Sequence, residues 1–399
     1  MLAFAVTLFV CLILLSLLTF RSIIHPSNCF VGFWAFLSVG GIFVFPSMLG
    51  GVSSLYVFTC AFFFYLGCVA FNDFSIGVGQ GVVELRRVLF ISICNLIFAI
   101  MVVVDHLQRD FLGVLLNISG VSREMSIGRY HHGLVVPVEY FIAISISYSA
   151  LLSVPAGRLS ARIGVVVNVV NVLVILFLSA ILTTKLNILI ALMILLFSSL
   201  VVAHKQGRAI FSARIAALVG GALLLVYTIF VVYSMLRYGW TSIDQVEGIN
   251  QKLMNYAFGQ MVAFDSWFIG ADIPLFGAGA YHLFGVGGDS VAGVYDVYVK
   301  TFDGVESNVY TVFRGVLEDF GFLGGYTFWL LIGGVGTVTY NSLRRCGGVW
   351  IGLFVIYLVF IVWGIVLSLF FYNVFKLAVA LYIVIFLVLR GRTSKEAYV

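Results

Sequence analysis

The chain has 399 residues, of which 62% are hydrophobic and only 10% charged. A soluble domain carries about 25% charged residues, so water is excluded as the main solvent and the composition describes a polytopic membrane protein. The net charge of +5 is no nucleic-acid signature, because the cations sit in short clusters between apolar runs too continuous for an outer-membrane barrel.

Apolar runs long enough to cross a bilayer are predicted at about 2–20, 29–49, 53–71, 88–105, 136–154, 163–182, 186–203, 215–235, 309–340, 348–370 and 374–389. The fold class is therefore all-α, with about eleven transmembrane helices. Residues 1–20 have no preceding Lys or Arg and no small-residue cleavage site, so they read as a retained first helix rather than a signal peptide. Gly40-Gly41 and Pro46 interrupt the second run, and the ninth is long enough to be tilted or broken. No linker or low-complexity tract divides the chain, which reads as a single membrane domain over 1–399. No internal repeat is visible, which argues against a transporter. The six cysteines show neither CxxC spacing nor a zinc-ligand pattern, so no metal site is expected.

Basic residues set the orientation. Arg21, Arg86, Arg87, Arg158, Arg162, Lys205, Arg208, Arg214, Arg344, Arg345, Arg390, Arg392 and Lys395 all fall on alternate loops or the C-terminus. Under the positive-inside rule the C-terminus is cytoplasmic and the N-terminus external. Two loops then face outward, 106–135 and the long hydrophilic 236–308. Within the second, Met254, Ala257, Phe258, Met261, Phe264 and Phe268 recur at three- and four-residue spacing. That pattern predicts an amphipathic helix over 248–268, lying in the interface.

The stretch from Ser307 to Gly324 places Arg314, Glu318 and Asp319 at the start of a membrane span. A charge at membrane depth costs at least ~2.5–3.5 kcal/mol on insertion scales, so such groups normally face a cavity and serve a function there. A guanidinium grips phosphate oxygens as a bidentate fork, which makes Arg314, together with Arg123, Arg129 and Arg237 of the external loops, a candidate site for a lipid diphosphate. Interfacial anchoring is the competing explanation for the loop arginines. An intrahelical ion pair with Asp319 is the competing one for Arg314. Glu318 and Asp319 point to different sides of a helix, so at most one faces the site. Glu306 and the pair His131-His132 lie on the external side, where a general base would act. Tyr256, Trp267, Tyr281 and Tyr310 are candidates for stacking on sugar rings, alongside interface anchoring.

Asn308-x-Tyr310-Thr311 followed by Asp319-Phe320-Gly321-x-x-Gly324 resembles the pattern of the Wzy-type O-antigen polymerases. Pro274-Leu-Phe-Gly-Ala-Gly279 resembles the PLFGxG element those polymerases share with the O-antigen ligases, and Gly207-Arg208 is similar to a small-residue–arginine element of the same superfamily. The resemblance covers about 205–325 by motif and the remainder by hydropathy. It implies a GT-C-like, metal-independent membrane glycosyltransferase without cofactors in the bacterial inner membrane. Such an enzyme moves a growing glycan from undecaprenyl diphosphate onto another lipid-linked repeat unit, in partnership with a Wzz-type chain-length co-polymerase. Arg314, Asp319, Arg237 and Glu306 would then be catalytic; Arg123, Arg129, Asn308, Tyr310 and His132 would bind substrate. The ligases carry a histidine immediately before the asparagine, and this chain has Ser307 there. O-antigen ligase and lipid-linked oligosaccharide flippase are the alternatives, and the identity of any base is left open.

Overall fold

The computed structural model describes residues 2–49, 51–77, 185–205, 245–277, 281–285, 298–302, 305–307, 309–346, 349–371 and 373–389, with a few single positions between them. They are mostly helical. In chain order they form α1 (Leu2–Phe20), α2 (Pro26–Val44), α3 (Gly51–Ala70), α4 (Lys185–Lys205), α5 (Gln245–Met254), α6 (Gln260–Gly270), α7 (Tyr281–Phe284), strands β1 (Val299–Phe302) and β2 (Val305–Ser307), α8 (Val312–Cys346), α9 (Val349–Trp363) and α10 (Asn373–Leu389). Among the described residues three helices are long and apolar enough to cross a membrane, α2, α3 and α8, while α1, α4, α9 and α10 supply shorter apolar stretches. The runs expected at 88–105, 136–154, 163–182 and 215–235, and the loop 106–135, lie outside the described residues.

Three boundaries differ from expectation, each for a local reason. The second helix starts at Pro26, not near residue 29. Proline suits the first turn, where its missing N–H is not needed, and His25 Nδ1 accepts the Ser27 N–H at 3.3 Å as a cap. It ends at Val44, ahead of Pro46. The run expected at 348–370 leaves the helix after Trp363, because the Gly364 carbonyl turns to accept the Val312 N–H at 2.8 Å and so caps α8. α8 itself is two helices joined at Gly321, whose φ of 69° and ψ of −170° only glycine adopts readily.

Residues 245–270 form one helical stretch with a π-turn at Asn255–Gly259. Part of the apolar stripe expected here packs on protein. Phe258, Met261 and Phe264 are buried, Phe258 against Phe36 of α2 and Phe264 against Phe313 of α8, while Met254 is exposed. Two polar ties hold the stretch in place. Asp265 accepts from Ser53 Oγ in the first turn of α3, and Asn255 Oδ1 accepts from Thr301 Oγ1 of the hairpin at 2.7 Å. β1 and β2 pair antiparallel, with Val299 opposite Ser307 and Lys300 opposite Glu306.

The chain groups into two compact units. One comprises Met1–Gly77, Glu247–Arg345 and Phe360–Phe375; the other Val78–Val246, Cys346–Val359 and Lys376–Val399. In the second unit α10 packs on α9, with the buried Tyr382 hydroxyl donating to the Val349 carbonyl at 3.0 Å. The first unit holds the candidate site. Its helices α3 and α8 approach closely where Gly67 meets the Leu330 carbonyl and Gly333 meets the Phe64 carbonyl, contacts with no room for a side chain. Its two ends differ in chemistry. At one end Tyr340 bonds Ser22 (3.0 Å), Asn341 bonds the Asn72 carbonyl (2.6 Å) and Arg345 bonds Ser75 (2.6 Å), which gathers Arg21, Arg344 and Arg345 together. At the other end the π-turn and α6 pack on α2, α6 packs on α3 and meets Phe313 in the first turn of α8, and the hairpin packs on the π-turn and α6.

Candidate functional site

The site is built where two glycine-containing segments touch. Phe322 N–H donates to the Pro274 carbonyl at 3.1 Å, Leu323 N–H to the Leu275 carbonyl at 3.0 Å, and Gly279 N–H to the Asp319 carbonyl at 2.8 Å. A Cβ at Gly277 would lie 2.5 Å from the Asp319 oxygen, and one at Gly321 would lie 2.5 Å from the Pro274 oxygen. The break in α8 frees backbone donors that the 274–279 segment satisfies, and glycine lets the two backbones meet.

Asp319 completes that junction. It is fully buried, and its carboxylate accepts the backbone N–H groups of His282 (3.1 Å to each oxygen) and Leu283 (2.8 Å). The carboxylate thus holds the first turn of α7, donors that would otherwise be buried without partners. This is a positioning arrangement. Arg314, for which an intrahelical pair with Asp319 was the competing reading, donates from Nε to Glu318 Oε1 at 2.8 Å, the i,i+4 geometry that one helical turn favours. Glu318 Oε2 in turn lies 3.3 Å from His282 Nε2. Neighbouring acids therefore serve the same short helix, Asp319 through its backbone and Glu318 through its imidazole.

Arg314 is 8% exposed and lies between two rings, its guanidinium carbon 4.1 Å from the centre of Tyr310 and 4.8 Å from that of Trp267. A planar, weakly hydrated cation is suited to this slot, where a compact ammonium is not. Beside the Arg314–Glu318–His282 chain is a cavity of about 20 Å³, lined by His282, Tyr310, Thr311, Gly315 and Ser368 among others. Chemically, the cluster pairs a permanent cation with an imidazole oriented by a carboxylate, a combination able to balance anionic charge and to move a proton.

Of the residues named from sequence, Arg314, Asp319 and Tyr310 are brought together. Glu306 is exposed on β2, and its backbone carbonyl, accepting from Asn255 Nδ2 at 3.4 Å, is what ties it to the π-turn. Arg237, Arg123, Arg129, His132 and Asn308 lie outside the described residues. The sequence reading missed His282, and it named Trp267 only as a sugar-stacking candidate. The signal that would have found His282 is its place three residues after Gly279, where the PLFGAG segment must turn back toward its partner. Among the described residues no group of three or more His, Cys, Asp or Glu is placed to hold a metal ion. No protein-family model, curated protein or solved structure matches the chain.

Proposed function

We propose that the chain is a membrane glycosyltransferase that polymerises undecaprenyl-diphosphate-linked O-antigen repeat units at the periplasmic face of the bacterial inner membrane. The observation that carries this reading is the junction of the Pro274–Gly279 and Asp319–Gly324 segments, which delivers His282 to Glu318 and Arg314. Both segments carry the resemblance to the polymerases, and 39 residues of sequence separate them.

The chemistry is coherent. The donor sugar already carries a diphosphate leaving group, so neither a nucleotide nor a metal is needed to activate it. Charge grows on the departing diphosphate, and a preorganised guanidinium stabilises that growth. Arg314 fills this role, with Arg123, Arg129 and Arg237 of the external loops completing the grip and Asn308, Tyr310 and His132 contacting the glycan. Asp319 acts by positioning. The gathering of Arg21, Arg344 and Arg345 at the end opposite the 245–307 loop fits the positive-inside rule. On that rule the loop is periplasmic, the N-terminus periplasmic and the C-terminus cytoplasmic, in a GT-C-like bundle of about eleven spans. A Wzz-type co-polymerase is the expected partner.

A deletion strain tests the reading directly. Its lipopolysaccharide should carry single repeat units without the long ladder, and the wild-type gene should restore the ladder. Purified protein given only lipid-diphosphate-linked repeat units should form oligomers in excess EDTA. Polymer retained on the lipid carrier in the deletion strain would identify a ligase instead, and restoration of activity only by magnesium or manganese would refute the arginine-based mechanism.

A further inference from the structure

We propose that the cavity beside His282 seats the hydroxyl group of the acceptor glycan and that His282 takes its proton. The proposal rests on the transferase reading above and assigns the half of the reaction that Arg314 does not serve.

Two observations point to a ligand there. Thr311 and Ser368 both line the cavity and are each 2% exposed, and neither Thr311 Oγ1 nor Ser368 Oγ has a hydrogen-bond partner among the described residues. Buried hydroxyls are nearly always satisfied, so a pair of them lining one small cavity points to a polar ligand. Size defines the group. About 20 Å³ is room for one water-sized oxygen, enough for a sugar hydroxyl but not a sugar ring or a phosphate. Gly315 keeps the space open, since a Cβ there would come within 3.1 Å of His282 Cβ.

Proton transfer follows from the pairing of imidazole and carboxylate. His282 lines the cavity, and its Nε2 lies 3.3 Å from Glu318 Oε2, a carboxylate that favours proton uptake by the ring. The acceptor oxygen bonds to the anomeric carbon of the donor glycan as its proton passes to the His282 imidazole. The bond from that carbon to the diphosphate oxygen breaks, and lipid diphosphate leaves with the electron pair. Glu318 stabilises the imidazolium formed, and Arg314 holds Glu318 in place at 2.8 Å. The imidazolium then releases its proton to water and the cycle closes without any further reactant.

The test uses full-length protein in detergent, an undecaprenyl-diphosphate-linked repeat unit as donor and a short-chain lipid-diphosphate repeat unit as acceptor. Thr311→Val and Ser368→Ala remove hydroxyls that no described residue bonds, so both variants should accumulate normally. Each should raise the acceptor KM about fivefold and leave the donor KM unchanged. His282→Ala should lower kcat by about 100-fold or more, with partial rescue by added imidazole. An unchanged acceptor KM in both hydroxyl variants, or a His282→Ala enzyme with normal kcat, overturns the assignment while leaving polymerisation intact. If the hydroxyl variants instead slow only hydrolysis of the donor, the cavity holds water and the acceptor assignment falls. A wild type that makes no oligomer overturns the transferase reading and this inference together.

Discussion

Gly277 and Asp319 meet backbone to backbone, so closely that a Cβ on the glycine would lie 2.5 Å from the Asp319 carbonyl oxygen. The consequence runs outward from that contact. The 274–279 segment caps the broken end of α8, the cap sets the direction of α7, and α7 brings His282 to Glu318. The site depends on glycine at two positions that touch no substrate.

Gly321→Ala is therefore expected to abolish polymerisation without preventing insertion. Its φ of 69° and ψ of −170° cost a side-chain-bearing residue about 1–3 kcal/mol, before the clash with the Pro274 oxygen is counted. Membrane fractionation should recover the variant in normal amount, while limited proteolysis should cut near 270–285 faster than in wild type. A variant with a normal lipopolysaccharide ladder would show that the junction is dispensable.

Substitutions at Arg314 should separate charge from shape. Arg314→Ala removes the cation and leaves Glu318 in a part-buried site, so polymerisation should be lost. Arg314→Lys keeps the charge but neither stacks as a plane between Tyr310 and Trp267 nor forks to diphosphate, and should restore only a small part of the ladder. Full restoration by lysine would reduce the role of Arg314 to its charge alone. A Tyr310→Ala, Trp267→Ala double variant should resemble Arg314→Lys, because it removes the slot rather than the cation.

The apolar helices were legible in the sequence because each is a continuous apolar run, and α1, α3, α4 and α10 fall within a few residues of their expected limits. α2 was displaced because hydropathy is blind to Pro26 as a helix start and to His25 as its cap. Arg314 and Asp319 were legible as unusual, yet their partners were not. Hydropathy carries no information on which loop backbone will satisfy a broken helix. A spacing of five residues between Arg314 and Asp319 also places them farther apart around a helix than the four between Arg314 and Glu318. His282 belongs to a four-residue helix whose position is set by Asp319, a long-range contact with no periodicity to reveal it.

Topology is testable at an exposed position of the long loop. Asp272 is exposed, in contrast to Gln260, which is 1% exposed. In a background lacking the six native cysteines, Asp272→Cys should react with an impermeant maleimide in intact spheroplasts. A cysteine in place of exposed Asn72, by the basic end, should react only after permeabilisation. The opposite pattern would invert the orientation and remove the periplasmic site.

The last prediction concerns acid stability. His25 sits in the connection between α1 and α2, 2% exposed, stacked on Phe20 with ring centres 3.7 Å apart. Burial, and then the neighbouring charge of Arg344, lower its pKa from the ordinary 6.5 to about 3. Protonation would also remove the lone pair on Nδ1 that caps α2. Between those two values the unfolded chain binds a proton that the folded chain refuses. Stability from this group is thus complete above about pH 6.5 and is lost as pH falls toward 3, at roughly 1.4 kcal/mol per pH unit. From pH 6.5 to pH 5 the loss is about 2 kcal/mol by the same relation. Thermal unfolding in detergent should show a lower midpoint at pH 5 than at pH 7.5. His25→Asn, which keeps a capping oxygen for the Ser27 N–H but does not titrate, should flatten that dependence. Equal acid sensitivity in both proteins would assign the effect to other groups.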